Sequence, residues 1–237
     1  MSGGIRESRL FLGNPGTGKS TLINCLVGKQ AFRSGVSWGG GLTQEYQRIQ
    51  HNDIAYMDTP GLADQTIITK AAEAITTALR QHGVYKLFFM VRINNGRVVS
   101  EDITTIERVL DSIDFHGNRA LYSVVINNIS KKQFEKLKNR GYEFEQVTSV
   151  INSRKYPATA FCLIPKIDEL DEESGKVVQL PHEIRYFIEN EAPTIRIEAN
   201  NVKDINLQDF EQQTQQILVI GISSSSTSSV TQRATTH

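Results

Sequence analysis

The sequence predicts a three-layer α/β domain, a mostly parallel central sheet with helices on both faces, and three observations predict it. Apolar strand-like runs alternate with segments whose apolar residues recur at helical spacing, the pattern of strands joined through crossover helices. The first run, residues 9–12 (Arg-Leu-Phe-Leu), ends directly in Gly13-Asn14-Pro15-Gly16-Thr17-Gly18-Lys19-Ser20, which opens a helix. A later run, residues 54–57, ends in Asp58-Thr59-Pro60-Gly61.

The 237 residues suit one domain of ordinary size, and 39% hydrophobic content is enough for a proper core. With 26 basic and 26 acidic residues the net charge is zero, so the overall balance does not argue for nucleic acid or an anionic membrane as the main partner. Cys25 and Cys162 sit in apolar contexts and read as reduced core residues. Five scattered histidines give no metal-ligand spacing. The N-terminus lacks an apolar signal core, and no window approaches the eighteen or so apolar residues of a membrane span. The expectation is a soluble, cytoplasmic protein.

The stretch from Gly13 to Ser20 fits the phosphate-cradling pattern G-x-x-x-x-G-K-[ST] at every fixed position. Its glycines let backbone N–H groups turn inward, toward a phosphate at the positive end of the following helix. Gly13, Asn14, Pro15, Gly16, Thr17, Gly18, Lys19, Ser20 and Thr21 are the expected nucleotide contacts. Lys19 would reach the β- and γ-phosphates, and Ser20 would ligate Mg²⁺. Leu22, Ile23, Leu26 and Val27 carry the helix, which stops at Gly28.

Residues 32–42 hold four glycines and the only tryptophan, Trp38, and resist regular structure. An alternating segment, 45–50, precedes the run ending at Asp58. An Asp at the tip of a hydrophobic strand, followed closely by Gly, is the second half of a phosphate–Mg²⁺ site: Asp58 would hold the ion directly or through water, and Gly61 would offer its N–H to a γ-phosphate. A third ligand is expected from a loop that the triphosphate orders, and Thr43 is the candidate for the Mg²⁺ shell. The alternative is an ordinary exposed loop threonine.

These residues carry a resemblance. Gly13 to Ser20, Leu42-Thr43-Gln44 and Met57-Asp58-Thr59-Pro60-Gly61-Leu62 resemble the septin-like branch of the translation-factor-related GTPases. Most similar is the immunity-associated nucleotide-binding family, called GIMAP or IAN proteins, with the plastid-import Toc GTPases as relatives. Residues 88–93 and Gly96-Arg97-Val98-Val99-Ser100-Glu101-Asp102 are similar to that family's apolar strand and Gly-Arg-x-Thr-x-Glu-Asp box, with Ser100 in the threonine position. The resemblance covers roughly residues 5–165. It implies a P-loop NTPase of the G-domain type that binds GTP, GDP and Mg²⁺, with Lys19 and Thr43 as catalytic residues and Ser20, Thr43 and Asp58 as metal ligands. It also implies a homodimer or oligomer formed through the nucleotide face, with membrane association only indirect.

The middle of the chain agrees. Residues 67–81 are helical by pattern, 84–93 form a long buried strand, and Ile103, Ile106, Val109, Leu110 and Ile113 mark an amphipathic helix. Ser100 could cap that helix or act in function. Arg97 could reach a partner or remain solvated. Residues 120–126 form another core strand and deliver Asn127-Asn128-Ile129-Ser130 to the base-binding edge. Guanine-specific relatives keep an Asp at the fourth position, whose carboxylate accepts from guanine N1 and N2. Asn127 fits, Asn128 stands for Lys, and Ser130 stands for Asp, so guanine is favoured only by resemblance. Asp168 or Glu169 could replace the missing carboxylate.

Residues 131–156 read as charged helices broken at Gly141, 158–164 as the last core strand, and Pro181 opens a helix to about Asn190, stopped by Pro193. The expected division is a G domain over 1–192, an extension over 193–222 holding one more strand or helix, and a disordered Ser/Thr-rich tail over 223–237. Leu62 replaces the glutamine that orients water in many related GTPases, and Pro15 occupies a loop position where several keep a small residue. The resemblance therefore implies a slow, self-associating GTPase. A nucleotide-locked scaffold without turnover and an NTPase of relaxed, ATP-accepting specificity are the alternatives.

Overall fold

The computed structural model describes residues 4–34, 43, 45–64, 67–172 and 175–208. In chain order its elements are β1 (Glu7–Leu12), α1 (Lys19–Val27), β2 (Gln47–His51), β3 (Ile54–Asp58), α2 (Ile68–Leu79), β4 (Gly83–Val91), a two-stranded ribbon β5 (Ile93–Asn94) and β6 (Arg97–Val98), and α3 (Ser100–Asp111). Then come β7 (Ser123–Ile129), α4 (Lys131–Leu137), α5 (Tyr142–Asn152), β8 (Ala160–Pro165), α6 (Glu169–Glu172), α7 (His182–Tyr186) and β9 (Ile195–Ile197). The main sheet runs β2-β3-β1-β4-β7-β8. β1, β3, β4, β7 and β8 are mutually parallel, while β2 lies antiparallel on β3 and β9 antiparallel on the start of β4. The mostly parallel sheet is therefore as the sequence predicts. Because the parallel strands share a direction, Leu12, Asp58, Val91, Ile129 and Pro165 end along one edge, where ligands of such sheets bind.

Alternation along β1 divides the core in two. Leu10 and Leu12 face a layer built from α2, α3 and α5, whereas Phe11 faces α1 and α7 and stacks on Phe88 with ring centroids 4.8 Å apart. α1 ends as predicted, with Gly28 left-handed and its N–H on the Asn24 carbonyl. Gly141 separates α4 from α5. The helix expected after Pro181 is observed as α7 followed by a wider π turn, Phe187–Glu191, closed by Ala192 N–H to the Phe187 carbonyl at 2.9 Å.

Under that turn lies a buried charge cluster. Lys86 Nζ donates to the carbonyls of Ile188 (3.3 Å) and Glu189 (2.6 Å), beside an Arg9–Glu7 pair at 2.9 Å, and Arg9 donates to Tyr56 Oη at 2.9 Å. Removing the ammonium takes the donor from two carbonyls and leaves Glu7 with Arg9 as its one remaining close cation. Lys86→Ala is therefore expected to lose about 2 kcal/mol and lower Tm by roughly 4–8 °C, measured by thermal and urea unfolding.

The structure departs from the sequence reading at two places. Ser100 does not cap α3: Val99 N–H is held by the Arg92 carbonyl at 3.1 Å, which keeps the chain extended through Val99, so Val99 is the cap and Ser100 the first helical residue. β7 continues through Asn127-Asn128-Ile129, because Ile129 pairs with Pro165 of β8 after a register shift. In the segment after residue 192, where one more strand or helix is expected, a strand is found: β9 joins the sheet, Val202 bridges Ile113, and Val202 and Ile205 enter the core. The expectations for Trp38, for the rest of the 193–222 segment and for the 223–237 tail fall outside the described residues. Both cysteines are buried and form no disulfide, and burial pushes the Cys162 thiol up to about 12. Among the described residues no helix is long and apolar enough to cross a membrane. Arg97 is exposed on the ribbon.

Candidate functional site

The glycine-rich loop between β1 and α1 needs its glycines for space and for backbone conformation. Gly13 has φ +139°, and a Cβ there would meet the Met90 carbonyl oxygen at 2.6 Å. Gly18 is left-handed at φ +87° and turns the chain into α1. Thr17 Oγ1 donates to the Asn14 carbonyl at 2.8 Å. Lys19 Nζ reaches back to the carbonyls of Gly13 (2.8 Å) and Asn14 (3.3 Å), closing the loop around a buried ammonium. Burial pulls the Lys19 ammonium below its ordinary range, and Asp58 and Asp102 oppose that shift. Pro15 is half-buried, Gly16 exposed, and Thr21 half-buried in the first turn of α1.

The predicted metal residues converge. Asp58, fully buried at the end of β3, accepts from Ser20 Oγ at 2.5 Å and from Thr43 Oγ1 at 3.1 Å through Oδ2, and the two hydroxyls lie 3.2 Å apart. Asp58 Oδ1 is buried and meets no donor among the described residues. Burial pushes this carboxyl up, while Lys19 and the two hydroxyls pull it down. Three oxygens of this hardness, one of them on a carboxylate with an unmatched lone-pair face, suit Mg²⁺.

Gly61 packs against the loop so closely that a Cβ would meet Asn14 Cα at 2.6 Å. Leu62 is fully buried in the core, so the side chain after Gly61 points away from the loop.

The Asn14 side chain is committed elsewhere. Its Nδ2 donates to Asp102 Oδ1 at 2.8 Å, and its Oδ1 accepts from Ala63 N–H (3.0 Å) and Thr105 Oγ1 (2.9 Å). Asp102 in turn accepts from Arg92 N–H at 2.8 Å and from its guanidinium at 2.8 and 3.1 Å. One buried asparagine thus ties the phosphate loop to the segment after Gly61 and to α3. Sequence reasoning placed Asp102 in a box and in a first helical turn; its pairing with a residue 88 positions away had no local signal.

At the base end, Asn127 Nδ2 donates to the Thr17 carbonyl at 2.9 Å, linking β7 to the phosphate loop. Asn128 is exposed and left-handed at φ +57°. Ser130 is engaged as the cap of α4: its Oγ accepts from Gln133 N–H (3.3 Å) and donates to Gln133 Oε1 (2.8 Å). Asp168 pairs with Lys131 at 2.7 Å.

The sequence pattern of the 50S ribosome-binding GTPase family matches residues 9–152, which is more than half of the chain. The chain belongs to this GTPase family. Among curated proteins it is similar to the small ribosomal subunit biogenesis GTPase RsgA of Leuconostoc citreum, 35% identical over 71 residues, or 28% of this chain. That match spans 24% of the relative's own length. In solved structures, this GTPase is similar to a Toc33/Toc159 chloroplast translocon structure at TM-score 0.53 and 16% identity, over 78% of this chain and 81% of the other. It is also similar to Arabidopsis thaliana Toc33 with Mg²⁺ and GMPPNP at TM-score 0.48 and 19% identity, over 81% and 89% of the two chains. The likeness at 0.53 shows that this GTPase has the G-domain fold.

Proposed function

We propose that the chain binds guanine nucleotide with Mg²⁺, hydrolyses GTP slowly on its own, and pairs with a second G domain in its GTP state, as a septin-like, GIMAP-type GTPase. The observation that carries this reading is the meeting of Ser20, Thr43 and Asp58 within 3.2 Å beside the buried Lys19. Bound there, Mg²⁺ would neutralise charge on the phosphate oxygens. Ser20, Thr43 and Asp58 would hold it, while Lys19 exchanges its loop carbonyls for phosphate oxygens and the amides of residues 13–18 line the cradle.

Slow turnover follows from the segment after Asp58. Leu62 lies in the core and has no polar group to orient water, and Gly61 abuts the Pro15 side of the loop. Help from a second protomer would compensate. Dimerization is important for the GTPase activity of the chloroplast translocon components Toc33 and Toc159, and the same dependence is proposed for this chain.

Light scattering in three states tests the pairing. The expected result is a doubled mass with a non-hydrolysable GTP analogue and a monomer with GDP or no nucleotide; the same monomer in all three states overturns it. Single-turnover incubation with Mg²⁺ should show a rate constant on the order of 10⁻³ s⁻¹ or slower at low protein concentration. No product after prolonged incubation would favour the scaffold alternative that Leu62 equally supports.

A further inference from the structure

We propose that Asp168 supplies the base-reading carboxylate that the Asn127-Asn128-Ile129-Ser130 segment lacks, a deepening that rests on the guanine reading above. Ser130, at the position where a carboxylate is expected, has both its donor and its acceptor function engaged by Gln133. Its one remaining lone pair can accept a single further bond, so the hydroxyl cannot take guanine N1–H and the N2 amino group together.

The neighbouring strand brings the replacement. Pro165 ends β8 opposite Ile129, and Lys166 N–H donates to the Ile129 carbonyl at 2.8 Å, so the chain after β8 crosses over the end of β7. Two residues later Asp168 Oδ2 takes Lys131 Nζ, the side chain immediately after Ser130, at 2.7 Å. That contact pins the carboxylate beside the segment whose Asn127 already holds the Thr17 carbonyl. The Asp168 side chain remains 59% exposed, so the carboxylate is open to a ligand. Lys131 also holds it below the usual carboxylate range, hence ionised at neutral pH.

The chemistry required is specific. Guanine presents two donors in line, N1–H and the N2 amino group, and an ionised carboxylate accepts both; adenine presents an acceptor at N1 and is refused. Glu169, one residue on at the start of α6, adds to the field that holds the Lys131 ammonium charged but makes no hydrogen bond to it among the described residues. A carboxamide at 168 would keep an acceptor for N1–H and gain a donor, which matches xanthine, whose C2 bears a carbonyl instead of an amine.

The test measures affinities of the full chain for GTP, ITP, XTP and ATP by calorimetry, for wild type, Asp168→Asn and Glu169→Gln. The wild type should prefer GTP over all three others. Asp168→Asn should lose roughly 10- to 100-fold for GTP and gain for XTP until XTP ranks first, with an unchanged circular dichroism spectrum. Glu169→Gln should keep the wild-type order. The proposal is overturned if Asp168→Asn keeps GTP above XTP, if it weakens all four nucleotides equally, or if Glu169→Gln makes the switch. A wild type that binds ATP as well as GTP overturns the guanine reading itself, an outcome distinct from the others.

Discussion

Lys19→Ala is expected to remove nucleotide binding, with a loss of at least a hundredfold in GTP-analogue affinity measured by calorimetry. The ammonium is buried inside the phosphate loop and already bonded to two of its carbonyls. A triphosphate carries several negative charges into the same space, and charge-assisted hydrogen bonds to its oxygens are worth roughly 1.5–3 kcal/mol each. Two such bonds account for about two to four powers of ten in affinity. The Gly13 carbonyl would also lose its Lys19 donor and the Asn14 carbonyl would keep only those from Thr17, so the loop would present a less ordered set of amides. Thermal stabilisation by added nucleotide should disappear with the binding, because a ligand stabilises only the state it binds. An affinity within tenfold of wild type would contradict the phosphate-cradle assignment and the enzyme reading built on it.

The second large effect is expected at Asp102. Its carboxylate is buried, and it accepts one bond from Asn14 and three from Arg92. Truncation to alanine leaves the Arg92 backbone N–H, the Arg92 guanidinium and the Asn14 amide without their acceptor. Breaking such a pair by removing one partner costs about 3–5 kcal/mol, or roughly 6–20 °C in Tm for a chain of this size. Denaturant unfolding of Asp102→Ala measures it. Nucleotide affinity should fall as well, because Asn14 sits in the phosphate loop and its side chain is what fixes that part of the loop to α3 and to Ala63. Replacing both partners, Asp102→Leu with Arg92→Met, should recover part of the stability. A single-variant loss below about 1 kcal/mol would show that the network is incidental.

Lys19, Ser20 and Asp58 were legible as candidates in the sequence because the phosphate-loop pattern and a strand-end Asp followed closely by Gly fix both residue type and spacing within short stretches. The sheet was legible because strands covered on both faces read as continuous apolar runs. Thr43 was identified from what the site needed, and its hydroxyl does lie 3.1 Å from Asp58. The rest depended on contacts that no local pattern announces. Asn14 meets Asp102 across 88 positions, so its commitment to α3 was invisible. Ser130 reads as a base contact by position, yet a helix begins at Lys131 and takes the hydroxyl as its cap. β9 has three residues, too few for any periodicity, and its place on β4 is set by pairing alone.

The irregularity in β7 has a further consequence. Ile126 and Ile129 both enter the same core although they are three residues apart, a spacing that sends side chains to opposite faces of a regular pleat. One supernumerary residue between them reconciles the two, and it is what leaves Asn127 free to lean on Thr17. Adding a single position there would turn Ile129 toward solvent, whereas deleting one would restore the regular pleat with Ile129 still inside and remove the irregularity that frees the asparagine. The letters of that segment are therefore open to change, while an added residue is resisted by the hydrophobic interior beneath.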